Sequence, residues 1–104
     1  MPTTSTRWRR FYRRRFLNRA RHHQGAHVIA DVDVERYGDD SPSVSADLHL
    51  ADCRGCVRLD FDVFTRGDAT NALHKLRVLR EVLDGFETAL LAAIDEADLA
   101  QRRR

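Results

Sequence analysis

Three successive stretches of this 104-residue chain alternate apolar and polar residues with a period of two, and nothing else in the sequence narrows the fold as much. In His27 to Tyr37, Val28, Ala30, Val32 and Val34 share one parity, while Asp31, Asp33 and Glu35 hold the other. From Ser43 to Asp52 the apolar set is Val44, Ala46, Leu48 and Leu50, against Ser43, Ser45, Asp47 and His49. From Val57 to Thr65 it is Val57, Leu59, Phe61 and Val63, against Arg58, Asp60 and Asp62. Successive side chains of a strand point to opposite faces, so each stretch predicts a strand with one apolar side. Gly38-Asp39-Asp40-Ser41-Pro42 and Arg54-Gly55 are short turn-forming links, which makes the three strands an antiparallel meander.

The flanks predict helices. Between Arg7 and about His23, Trp8, Phe11, Tyr12, Phe16 and Ala20 fall at helical spacings with Arg9, Arg10, Arg13 and Arg14 turned mostly away, and Gly25 suits a helix end. Beyond Gly67, Asp68 is the expected N-cap of a long helix running from Ala69 to about Ala100. Its apolar series is Leu76, Leu79, Leu83, Phe86, Leu90, Ala93 and Ala97, widened by Val82, Leu91 and Ile94. The expected architecture is α+β: an N-terminal helix, a three-stranded antiparallel meander, and one long C-terminal helix packed on one sheet face (αβββα). Residues 1–26 form a basic arm and 27–104 the βββα body of a single globular domain. At ~1.5 Å per residue the last helix outruns a strand, so Leu90, Leu91 and Ile94 call for a further partner, with a homodimer expected.

Charge is segregated along the chain. The formal net charge is +2, yet residues 1–26 hold eight arginines and no carboxylate, whereas residues 27–66 hold nine acids against four arginines. A basic arm on an acidic body implies a polyanionic partner or an intramolecular pairing of the two. Lys75 is the only lysine, a bias that points to a GC-rich genome such as that of an actinobacterium or its phage. Arginines interrupt Trp8 to Leu17, so it is no secretory apolar core, and the apolar run Ala89 to Ile94 is too short to cross a bilayer. The expected location is cytoplasmic.

Chemistry-bearing motifs are sparse. Cys53-Arg54-Gly55-Cys56 is half of a zinc knuckle, which His49 or His74, or the cysteines of a dimer mate, would complete; the commoner reading is two semi-buried thiols or a reversible disulfide across the turn, so Cys53 and Cys56 are weak metal candidates. The acids Asp31, Asp33, Glu35, Asp47, Asp60 and Asp62 share the outer sheet face, where a solvated surface, docked arginines or a divalent cation are the alternatives. With no Walker loop, G-x-S-x-G or H-E-x-x-H string, no enzyme and no cofactor is expected.

The predicted element order is also that of double-stranded-RNA-binding domains, whose second helix opens with phosphate-gripping lysines. The corresponding stretch, Ala69-Thr70-Asn71-Ala72-Leu73-His74-Lys75, holds one lysine and follows Asp68. The likeness is one of order alone, and no RNA-binding residue is transferred.

Two functions are expected of such a chain. In the first, a small non-enzymatic accessory protein binds nucleic acid through its arginine-rich segment. Arg9, Arg10, Arg13 and Arg14 would contact phosphates, and Trp8 and Tyr12 would stack on bases. The second is a protein-interaction or inhibitor module acting through Asp31, Asp33 and Asp60 on the acidic face.

Overall fold

The computed structural model describes residues 5–21, 25–38 and 41–97. Four strands, β1 (Ser5–Phe16), β2 (His27–Tyr37), β3 (Ser43–Asp52) and β4 (Gly55–Asp60), precede one helix, α1 (Arg66–Ala97). The strands form one antiparallel sheet in the order β1-β2-β3-β4, a four-stranded meander. Two compact units divide the chain, Met1–Ala72 with the sheet and the first turns of α1, and Leu73–Arg104 with the rest.

The expected N-terminal helix does not form, and the αβββα order is corrected to ββββα. The arginine-rich segment is the first strand. As a helix it would place arginines at i, i+4 spacing with no carboxylate among them, and such like-charge pairs are destabilising. As a strand it lies beside the acids of β2, where opposite charges face each other across the ladder, and its aromatics suit a pleated surface. The helical spacing has a specific origin. The register shifts between Arg9 and Phe11, with Arg9 opposite Asp33 and Phe11 opposite Val32. Arg10 is the extra residue of a β-bulge. That bulge brings Trp8 (opposite Val34) and Phe11 (opposite Val32) onto the same face despite their separation of three, the spacing a helix would also produce.

The three strands of alternating pattern form as expected. Val28, Ala30, Val32 and Val34 face the same side as Leu50, Leu48, Ala46 and Val44, their ladder partners, and all eight are half-buried. β4 is shorter than its alternating stretch: it ends at Asp60, and a single bridge, Val44 to Val63, continues the register. Gly38 takes φ 55°, a left-handed conformation that suits glycine, where β2 ends. The expected turn residues Asp39 and Asp40 lie outside the described set. So do the far end of the predicted first helix, at His23, and that of the last helix, at Ala100.

The N-cap of α1 also differs from expectation. Thr65 takes that place: its Oγ1 accepts the Asp68 backbone N–H at 3.1 Å, and Asp68 Oδ2 accepts the Thr65 N–H at 3.2 Å and that of Phe64 at 3.0 Å. This is a reciprocal capping box with Asp68 in the N3 place. The Ala69 N–H then donates to Thr65 O at 3.1 Å, the first bond of the helix. No residue of α1 is buried, and among the described residues only Ala26 and Asp33 are.

Candidate nucleic-acid interface

β1 is an edge strand, and its register sorts its side chains onto two faces. Arg7, Arg9, Tyr12, Arg14 and Phe16 stand opposite Glu35, Asp33, Asp31, Ile29 and His27, on the acidic face of the sheet. Trp8, Phe11, Arg13 and Arg15 stand opposite Val34, Val32, Ala30 and Val28, on the apolar face. The expected phosphate and stacking set is therefore split: Arg9, Arg14 and Tyr12 on one side, Arg13 and Trp8 on the other, with Arg10 at the bulge.

On the acidic face two arginines are engaged. Arg7 donates from Nε (3.1 Å) and Nη2 (2.8 Å) to Asp33 Oδ2. That hydrogen bond and the charge of Asp33 raise the Arg7 pKa above its ordinary value. Arg9 Nε lies 3.7 Å from Asp31 Oδ1 and 3.8 Å from Asp33 Oδ1, close enough for charge attraction but too far for a hydrogen bond. Asp31 Oδ1 is buried and receives no hydrogen bond among the described residues. Asp33, 8% exposed, is the buried acid of this cluster. Of the expected protein-facing acids, Asp31 and Asp33 are thus held within the sheet, whereas Asp60 is exposed on β4.

The remaining β1 arginines have a different environment. Among the described residues no carboxylate pairs with Arg10, Arg13, Arg14 or Arg15, and all four are exposed. Three guanidinium groups lie over aromatic rings: Arg9 over Tyr12 (4.7 Å to the centroid), Arg13 over Phe11 (5.5 Å) and Arg14 over Phe16 (5.6 Å). Cation–π contact of this kind fixes a flexible arginine without neutralising it. Trp8, Phe11, Tyr12 and Phe16 are all at least 40% exposed. Arginines and aromatics are thus interspersed along one accessible edge strand.

No family model matches the chain, and neither a curated protein nor a solved structure matches it.

Away from β1, Asp47, Asp60 and Asp62 bring carboxylate oxygens within 4.8 Å of one another. Asp62 Oδ1 accepts the Ala46 N–H at 2.7 Å, and the Asp62 N–H donates to Asp60 Oδ1 at 2.7 Å. Burial raises the Asp62 pKa, the Ala46 hydrogen bond opposes that, and repulsion from Asp60 and Asp47 adds to the rise. The β3–β4 ladder, which pairs Asp47 with Asp60, and the two hydrogen bonds of Asp62 account for this grouping. His27 and His49 stack on the same face, with centroids 5.7 Å apart, and His27 Nδ1–H donates to Gly25 O at 2.9 Å. Cys53 and Cys56 are free, exposed thiols flanking the β3–β4 turn. Among the described residues neither joins a group of three metal-ligating side chains. Leu90 and Leu91 are exposed on α1, and Ile94 is half-buried there. The bulge-coded second face of β1, with Phe11, Arg13 and Arg15, is what the helical reading of the sequence missed. Its signal was the run of eight arginines immediately preceding an acid-rich strand pattern.

Proposed function

We propose that this chain is a small non-enzymatic accessory protein that binds single-stranded nucleic acid along β1 and acts as a homodimer. The observation that carries the reading is the division of labour within one strand. Arg7 and Arg9 neighbour the acids of β2, while Arg10, Arg13, Arg14 and Arg15 are exposed and have no carboxylate partner among the described residues. The paired arginines tie the strand to the sheet, and the others supply guanidinium forks for phosphate oxygens. Trp8 and Phe11 share a face with Arg13 and Arg15, so bases stacked on the rings bring their phosphates to those arginines. A single strand suits exposed rings better than a duplex, whose bases are already stacked.

The alternative, a protein-interaction surface formed by the acidic face, has less support because Asp33 is buried under Arg7 and Asp31 neighbours Arg9. The homodimer is supported by the apolar series of α1, of which Leu76, Leu83, Phe86 and Leu90 are exposed.

The test is fluorescence anisotropy with labelled single-stranded DNA, single-stranded RNA and duplex DNA at several salt concentrations. Binding that favours the single strands and weakens with a log–log salt slope of about −3 is expected, since each of about four neutralised phosphates contributes roughly −0.7. The quadruple variant R10A/R13A/R14A/R15A should flatten that slope. Absence of binding in dilute buffer, or an unchanged slope in the variant, overturns the reading.

A further inference from the structure

We infer that α1 pairs with α1 of a second copy of the chain in antiparallel orientation, with the two-fold axis passing between Leu83 and Phe86. The inference rests on the dimeric state proposed above and adds an orientation and a register to it.

The apolar series of α1 is a heptad. Leu76, Leu83 and Leu90 fall at one seam position, and Leu79, Phe86 and Ala93 at the other, in strict 4-3 alternation. Such a seam specifies a helical partner without specifying its direction. Direction comes from the flanking positions, whose charges set partner choice in coiled coils. One flank carries Leu73, Arg80, Glu87 and Ile94; the other carries Lys75, Val82, Ala89 and Glu96.

In an antiparallel pair each flank meets its own counterpart. With Leu83 layered on the partner's Phe86 and Leu79 on the partner's Leu90, Arg80 faces the partner's Glu87 and Leu73 faces the partner's Ile94. On the other flank Lys75 faces the partner's Glu96 and Val82 faces the partner's Ala89. Every flanking pair matches, charge to opposite charge and apolar to apolar, and two-fold symmetry makes each pair twice. In a parallel pair each flank meets the other one, five residues further on. Lys75 would then face the partner's Arg80, and Val82 would face the partner's Glu87. One orientation satisfies all the pairs, and the other sets like charges together and strands an apolar residue against a carboxylate.

A second observation concerns the long-range charge of the helix. The bases of α1 beyond its first residue, Lys75, Arg77 and Arg80, all lie before its midpoint, and Asp84, Glu87, Asp95 and Glu96 follow. An antiparallel partner lays its basic half along this acidic half. A parallel partner sets acidic half beside acidic half.

The experiment uses the full chain. Sedimentation equilibrium gives the dimer dissociation constant for the native protein, Arg80→Glu, Glu87→Arg and the double variant R80E/E87R, with far-UV circular dichroism checking that each retains its helix. In the antiparallel register Arg80→Glu sets a glutamate against the partner's Glu87 twice, so dissociation should strengthen roughly tenfold, and the double variant should recover most of the loss. A tighter Arg80→Glu dimer indicates the parallel arrangement, in which the new glutamate meets the partner's Lys75, and overturns the orientation while leaving the dimer intact. A dimer indifferent to all three variants overturns the register. A monomer at every concentration overturns both this inference and the dimeric reading, and assigns the apolar seam to another cover.

Discussion

Arg7 and Asp33 lie 26 positions apart in sequence, yet Arg7 Nη2 is 2.8 Å from Asp33 Oδ2. The pair joins an edge strand with no acid of its own to a strand rich in them, and it is unequal, with the Arg7 side chain 54% exposed and that of Asp33 11%. Most of its value lies in what happens when one partner is lost, because a buried carboxylate without a donor keeps its desolvation cost.

Arg7→Met is therefore expected to lower the urea midpoint more than the double variant R7M/D33N does, since the double variant removes the stranded charge together with its partner. Asp33→Ala alone should lower the midpoint less than Arg7→Met does, because the arginine it leaves without a partner is reached by water. A single Arg7→Met variant as stable as the double one would show that the pair does not anchor β1.

The bulge at Arg10 predicts that the position tolerates deletion. Arg10→Ala leaves the extra backbone unit in place and should change stability by less than about 0.5 kcal/mol. Deleting Arg10 makes Arg9 and Phe11 neighbours opposite Asp33 and Val32, themselves neighbours, so the ladder becomes regular and every residue before it keeps its partner and its face. Urea denaturation should show small changes of similar size for the two variants. A deletion several times more damaging than the substitution would show that Arg10 is not the extra residue.

At the start of α1, Thr65→Ala removes the hydroxyl that accepts the Asp68 N–H and should cost about 1 kcal/mol, with Thr65→Ser close to native. Far-UV circular dichroism during thermal unfolding measures both. An Asp68 variant that loses helix while Thr65→Ala does not would return the N-cap to Asp68.

Asp62 supplies a pH dependence of definite sign. Its pKa in the fold is raised above the ordinary 3.8, chiefly by burial, so the folded state holds that proton more tightly than the unfolded chain does. Stability contributed by this group is present below about pH 3.8 and is lost as pH rises through the raised value. Asp62→Asn keeps an amide oxygen to accept the Ala46 N–H and carries no charge. Its thermal midpoint should match the native one at about pH 3 and exceed it by one or two degrees at about pH 7. A native protein more stable than the variant at neutral pH would contradict the assignment.

What the sequence determined by itself is the part of the molecule governed by near neighbours. The period-two pattern of Val28 to Val34, Val44 to Leu50 and Val57 to Val63 marks three strands because alternation places one residue set on each side of a pleat. The heptad from Leu76 to Ala93 marks the helix for the corresponding reason at a period of 3.6. Even the cap is local: Thr65 and Asp68 stand three apart, the spacing of a capping box, although Asp68 alone suggested itself as the first residue. The form of Arg7 to Phe16 was decided only by the tertiary structure. Trp8 and Phe11, three apart, satisfy a helix and a bulged strand equally, and the mutual repulsion of six arginines disfavours the helix without specifying a strand. The choice belongs to Asp31 and Asp33 on the neighbouring strand, whose charges reward an extended partner laid beside them and are invisible to any window of sequence that does not already contain the pairing.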